Sequence, residues 1–117
     1  AKFTNLIFHN DHIFGLDDGM FACIDIERGR RKWKEGRYGH GQILLRGNHI
    51  LVMAENGDVI LLEANAEQHV ELTRFAALDG KTWNPPALAG EYLLVRNHRE
   101  AACYKLPLAK PAKVAAQ

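Results

Sequence analysis

The sequence predicts an all-β fold of about three four-stranded antiparallel units, the last one incomplete, forming part of a β-propeller. Three observations lead there. A pattern recurs along the chain at the spacing of propeller blades, tight turns of Asp-Gly and Asn-Gly type punctuate it, and apolar residues alternate between those turns.

The repeat is read first. His12-Ile13-Phe14, His49-Ile50-Leu51 and Glu91-Tyr92-Leu93 open three similar apolar segments, preceded by turns at Asn10-Asp11, Gly47-Asn48 and Ala89-Gly90. The first two copies lie 37 residues apart and the next two 42, close to the ~40–50 residues of propeller blades. Each segment runs into a second turn, at Asp17-Asp18-Gly19, Glu55-Asn56-Gly57 or Asn97-His98-Arg99, and then into another strand-like run. Strand, tight turn, strand is the strongest short-range hairpin signal a sequence carries.

Strands are therefore expected at 5–9, 12–17, 20–26 and 31–35 in the first unit, and at 42–45, 49–54, 59–64 and 70–75 in the second. The third offers 87–88, 92–96 and 101–106, after which Pro107, Pro111 and an Ala/Lys-rich end supply no fourth strand. A helical reading fails because no window of ten or more residues keeps apolar side chains at i, i+3, i+4 and i+7. The blades are placed at 3–36, 37–78 and 79–107 within a partial propeller over 1–107, with a tail at 108–117.

Composition bounds the rest. With 47% hydrophobic and 25% charged residues the chain has the makings of a buried core. Fifteen Lys+Arg against fourteen Asp+Glu leave a net charge of +1, too balanced for a protein held on nucleic acid by counterion release. The longest apolar runs, 43–45 and 50–54, are far shorter than the ~20 residues of a membrane span. Cys23 and Cys103 lack metal-ligand spacing and read as two small buried side chains. No secretory leader pattern opens the chain, so a mature form or a cut longer chain is expected.

Against this background, residues 20–34 (MFACIDIERGRRKWK) resemble the "ALDxxTGKxxW" signature of quinoprotein-like (PQQ-repeat) propellers, with Asp25, Gly29 and Trp33 on the marked positions. The resemblance implies that Asp25 ends the third strand, Gly29 makes the turn into the fourth, and Trp33 docks between neighbouring blades. Copy two keeps an acidic residue as Glu63 and puts Phe75 near the docking place, but has Glu67-Gln68-His69 where the Gly turn belongs. Residues 84–95 (NPPALAGEYLLV) are similar to the "SPPVVAGGRLYV" opening of such blades. The likeness spans about 3–106 and looks closest to a C-terminal run of blades from a bacterial PQQ-like repeat protein. It implies a periplasmic or secreted location.

Three blades cannot close a ring, and closure is what protects propeller strand edges. The expected partners are therefore the remaining blades of a longer chain, or further copies completing a ring, with two copies and six blades as one option. A protein partner is also expected.

The candidate binding site is the link Gly36-Arg37-Tyr38-Gly39-His40-Gly41-Gln42, whose three glycines allow unusual backbone angles beside hydrogen-bonding side chains. The repeat sets His40 over Trp83, so Lys81, Trp83 and Asn84 are expected beside it, giving a rim site of Arg37, Tyr38, His40, Gln42, Lys81, Trp83 and Asn84. No carboxylate, Cys or Ser in either link stands as an obvious base or nucleophile, so no catalytic residue is assigned. The histidines 9, 12, 40, 49, 69 and 98 show no metal-ligand pattern; His9 and His12 are expected on opposite sides of a strand or turn. The basic run of Arg28, Arg30, Arg31, Lys32 and Lys34 reads as a solvated edge.

The function expected is a non-catalytic propeller scaffold that binds a protein or small ligand on the face of the inter-blade links, with no cofactor. The alternative is part of a PQQ-dependent oxidoreductase, which the family resemblance implies would hold PQQ and Ca²⁺ through Asp, Glu and Asn ligands, a stacking Trp and adjacent cysteines. The sequence has no Cys-Cys pair.

Overall fold

The computed structural model describes residues 3–106, and within them eleven strands form three antiparallel sheets. The first sheet holds β1 (Phe3–His9), β2 (His12–Asp17), β3 (Met20–Asp25) and β4 (Arg30–Arg37), in that order. The second holds β5 (Gln42–Arg46), β6 (His49–Met53), β7 (Asp58–Glu63) and β8 (Glu71–Ala76). The third holds β9 (Ala87–Ala89), β10 (Tyr92–Arg96) and β11 (Ala101–Lys105). Each sheet is a simple meander, so the predicted all-β architecture of two complete blades and one three-stranded blade is what the chain forms. Pro107, Pro111 and the tail at 108–117 lie outside the described residues. No helix among the described residues is long and apolar enough to cross a membrane.

Each blade repeats the same bonds. Ile26 N donates to Asp11 O (3.2 Å), Ala64 N to Asn48 O (2.8 Å) and Leu106 N to Glu91 O (2.7 Å), joining the end of the third strand to the first hairpin. These equivalences correct the repeat alignment. Glu91 matches Asp11 and Asn48, so Tyr92, and not Glu91, stands in the place of His12 and His49; the three-stranded blade sits one residue later than expected. Blade one joins blade two through Asn5 Nδ2, which donates to Gly41 O (3.2 Å), and through His9, hydrogen-bonded to Asn48 at 3.1 Å. Between blades two and three, Arg46 donates to Gly90 O.

The core lies between sheets. Because strand side chains alternate, every sheet has two faces. One face of blade one, with Phe14, Leu16, Phe21, Cys23 and Trp33, packs against Ile50, Val52, Ile60 and Leu62 of blade two. The opposite face of blade two, with Leu51, Met53 and Val59, packs against Leu93 and Val95 of blade three. We call the face that carries Phe14 in blade one and Leu51 in blade two leading, and the face that carries Ile50 in blade two and Leu93 in blade three trailing.

Trp33 lies in the first junction. Its ring centroid is 5.6 Å from Phe21 and 6.3 Å from Phe14, its edge meets His69 at 5.7 Å, and Nε1 donates to Asn65 O (3.2 Å). Asp25 Oδ1 accepts the amides of Glu27 (2.9 Å) and Arg28 (3.3 Å), while Gly29 N donates to Asp25 O (2.8 Å) at φ +65. Blade two builds this corner differently. Asn65 Oδ1 accepts the amides of Glu67 (2.8 Å) and Gln68 (3.2 Å), and Glu63 only steadies Asn65 through a 3.1 Å bond from Nδ2.

Three smaller expectations are corrected. Register pairs Cys23 with Trp33 and the equivalent Leu61 with Thr73, so Thr73 and not Phe75 holds the tryptophan's place; Phe75 instead meets Tyr104 of blade three edge-on at 5.0 Å. Cys103 is exposed, because it lies on the uncovered face of blade three, whereas Cys23 is buried and burial pushes its thiol up to about 11. His9 and His12 are direct cross-strand partners flanking a two-residue turn, so they share a side.

Phe21 has no exposed surface and packs against the rings of Phe14 and Trp33. Phe21→Ala is expected to cost about 3–5 kcal/mol in urea unfolding, against less than about 0.5 kcal/mol for a surface change such as Glu67→Ala. A small loss for Phe21→Ala would contradict the packing described.

Candidate functional site: the face of the blade links

Two kinds of loop meet on one face: the links between blades and the turns between second and third strands. Tyr38 N and Gly39 N both donate to Gly19 O (2.7 and 3.1 Å), and Ala77 N and Leu78 N both donate to Gly57 O (3.0 Å each). Each link thus docks on the turn of the blade it leaves.

Glu55, in the β6–β7 turn, ties the two links together. Its amide donates to Tyr38 O (2.9 Å) and its carbonyl accepts Thr82 N (2.7 Å). Its carboxylate accepts His40 N at Oε1 (3.1 Å) and Trp83 Nε1 at Oε2 (2.6 Å). Gln42 Nε2 donates to Trp83 O (3.1 Å), and Lys81 Nζ stands 5.5 Å from the centre of the Trp83 ring, in cation–π range. Gly39 is required here: at φ +70, a Cβ on it would lie 2.8 Å from Glu55 Cβ.

The bonds from Trp83 and from the His40 amide hold the Glu55 carboxyl below the ordinary glutamate value of 4.5, against a smaller opposing effect of burial. Trp83 stays 55% exposed although its indole N–H is fixed. The result is a presented aromatic face with a cation beside it and exposed His40 nearby.

The link to blade three has its own anchor. Asn97 Nδ2 donates to Asp79 O (2.7 Å) and Thr82 Oγ1 (3.3 Å), its Oδ1 accepts the amides of Arg99 (2.9 Å) and Glu100 (3.0 Å), and Glu100 Oε2 accepts Asp79 N (2.7 Å). Thr82 is fully buried under the exposed Lys81 and Trp83.

Of the seven predicted rim residues, His40, Gln42, Lys81 and Trp83 come together around Glu55. Asn84 follows Trp83 half-buried, and Arg37 lies exposed at the end of β4, outside this network. Tyr38 is corrected. Only 2% exposed, it points between the outer strands of blades one and two, where its hydroxyl donates to Glu71 Oε2 (2.8 Å) and lies 2.9 Å from His69 Nε2. Burial and the Glu71 carboxylate raise the phenol's pKa, and the Arg74 guanidinium, which itself binds Glu71 at 3.0 Å, covers the ring at 5.7 Å. Tyr38 is a blade-to-blade tie and not a surface donor. The sequence reading missed Glu55, Thr82 and Asn97, which it took as turn and link residues.

Neither a protein family nor a curated protein matches the sequence. Solved structures do match its shape. The computationally designed Ika8 protein aligns over 89% of this chain and 33% of its own, at TM-score 0.69 and 13% identity. BamB from Moraxella catarrhalis aligns over 84% of this chain and 29% of its own, at TM-score 0.65 and 19% identity. The designed Ika4 protein aligns over 91% and 92%, at TM-score 0.50 and 10% identity.

A depressed glutamate keeps its bonds above its ordinary titration range and loses them as pH falls through its own lower value. The Trp83 emission, taken as the difference between the natural chain and Trp83→Phe, is therefore expected to stay constant down to pH 5 and to change with a midpoint below 4.5. A midpoint above 4.5 would contradict the Glu55–Trp83 tie. The chain spans about a third of the length of Ika8 and BamB, and these likenesses show its fold: part of a β-propeller.

Proposed function

We propose that this chain is part of a non-catalytic propeller scaffold whose link face binds a protein or small ligand. The observation that carries the reading is Trp83, more than half exposed yet fixed through its indole N–H to Glu55, with Lys81 against its ring. A large aromatic held rigid and solvent-facing loses little conformational freedom on binding, which is why Trp is over-represented among the residues that dominate binding energy. Carbonyl and carboxylate groups of a ligand would find donors in Lys81 and His40, and an apolar or aromatic group would find the Trp83 ring. The resemblance to PQQ-repeat propellers supports a periplasmic or secreted setting for such a scaffold, and the outer faces of blades one and three, on which no other sheet packs among the described residues, support a partner in the form of further blades or further copies.

Selection of a displayed random peptide library on the purified chain tests the link face. Binders are expected whose affinity falls at least roughly tenfold with Trp83→Ala, the smaller end of what a dominant interface residue contributes. Binders indifferent to Trp83 and Lys81 would overturn the assignment of this face. PQQ with calcium separates the oxidoreductase alternative. The reading expects no saturable change in tryptophan emission, and a saturable change would favour the alternative.

A further inference from the structure

Both junctions inside the chain use the blade faces in one way: the leading face of one blade receives the trailing face of the next. Among the described residues no other sheet packs on two faces of these same kinds, the leading face of blade three and the trailing face of blade one. On the leading face of blade three, register puts Leu94 in the place of Phe14 and Leu51, Arg96 in that of Leu16 and Met53, and Cys103 in that of Cys23. On the trailing face of blade one, Ile13 stands where blade two has Ile50, Gly15 where it has Val52, Asp17 where it has Ala54, and Ile24 where it has Leu62.

These faces carry apolar surface that water touches. Phe8, the cross-strand neighbour of Ile13, is 65% exposed; Tyr92 and Leu94 are 48% and 46% exposed. Their shapes differ in a complementary sense. Blade three bears a depression of about 340 Å³ lined by Pro85, Ala87, Leu94, Arg96, Ala101 and Cys103, whereas blade one offers the protruding Phe8.

We propose that the leading face of blade three docks on the trailing face of blade one in a second copy of this chain. The docking continues the interface already used twice within the chain. Leu94 would join Ile13 and Ile24 in one cluster, as Phe14 does with Ile50 and Leu62. Arg96 arrives at the level of Gly15, which is buried in blade one together with Ala22 and with Asp17, whose carboxylate holds Lys34 Nζ at 3.2 Å.

Two copies make six blades, inside the range of about 4–8 in which propellers close, while three copies would make nine. The two junctions of such a ring are related by a two-fold axis and are identical. The inference rests on the scaffold reading but not on any ligand at Trp83.

Light scattering across a concentration series is expected to give a mass approaching twice 13.2 kDa. Leu94→Asp, at a position that is 46% exposed in the single chain, is expected to raise the dissociation constant on the order of 100-fold or more by placing a charge in the junction, with an unchanged circular-dichroism melt at low concentration. Ile24→Cys is expected to give a covalent dimer with a short bis-maleimide, joined between position 24 and Cys103, which lie at opposite ends of one chain; adding Cys103→Ser removes it. A single-chain mass throughout, a dimer untouched by Leu94→Asp, or a crosslink that never includes Cys103 would each overturn the proposal. Trp83→Ala leaves the dimer intact, so loss of peptide binding with the mass unchanged counts against the link-face reading alone.

Discussion

Sheet-on-sheet contact between blades is the interaction on which everything else here depends. No single blade of this chain encloses a core, because a four-stranded meander has two broad faces and nothing inside it. Phe14, Leu16 and Phe21 are buried in one cluster with Ile50, Val52, Ile60 and Leu62 of the neighbouring blade. Among the described residues blade two alone has both faces covered by other sheets, and stability in such a chain is a sum of neighbour interfaces more than a property of any one unit. The candidate binding face inherits its rigidity from that arrangement, since Glu55, which fixes His40 and Trp83, belongs to the doubly covered blade.

Polar groups at the junctions obey the same constraint. A buried hydroxyl or amide without a partner costs about 1–3 kcal/mol, and each one here is matched. Tyr38 finds Glu71 and His69 across the first junction, Thr82 binds Gly80 and Asn97, and Asn97 caps two amides while holding the link to blade three. Among the described residues no buried side-chain donor or acceptor lacks a partner. The side chains that set blade spacing are thus largely the ones that position the links, so fold and site are not separable sets of residues.

Much of the fold was legible in the sequence because its signals are local. Asp18-Gly19 and Asn56-Gly57 mark hairpins, and the alternation of Ile50, Val52 and Leu51, Met53 marks a strand packed on both faces. The third blade was placed one residue early because the turn Gly90-Glu91 looks, in isolation, the same as Ala89-Gly90; the pairing of Tyr92 with Ala89 and the bond from Leu106 to Glu91 fix it. Half of the site was legible for the same reason. His40 and Trp83 share a repeat position, and repeat positions are visible in one dimension. Glu55 was not, since its turn position explains it fully until two links, 15 and 28 residues away, are seen to converge on it. Tyr38 was misread because its direction follows from the outer strand of the next blade, information that no local pattern contains.

Amide hydrogen exchange of the Leu94→Asp chain tests the central claim most directly, because only the junctions inside one chain then remain. The account predicts that the amides of β6 and β7, covered on both faces, exchange most slowly, those of β2 and β3 next, and those of β9 and β11 fastest. Slowest exchange in blade three, or uniform exchange across the three sheets, would contradict the claim that face-to-face docking of blades holds this protein together.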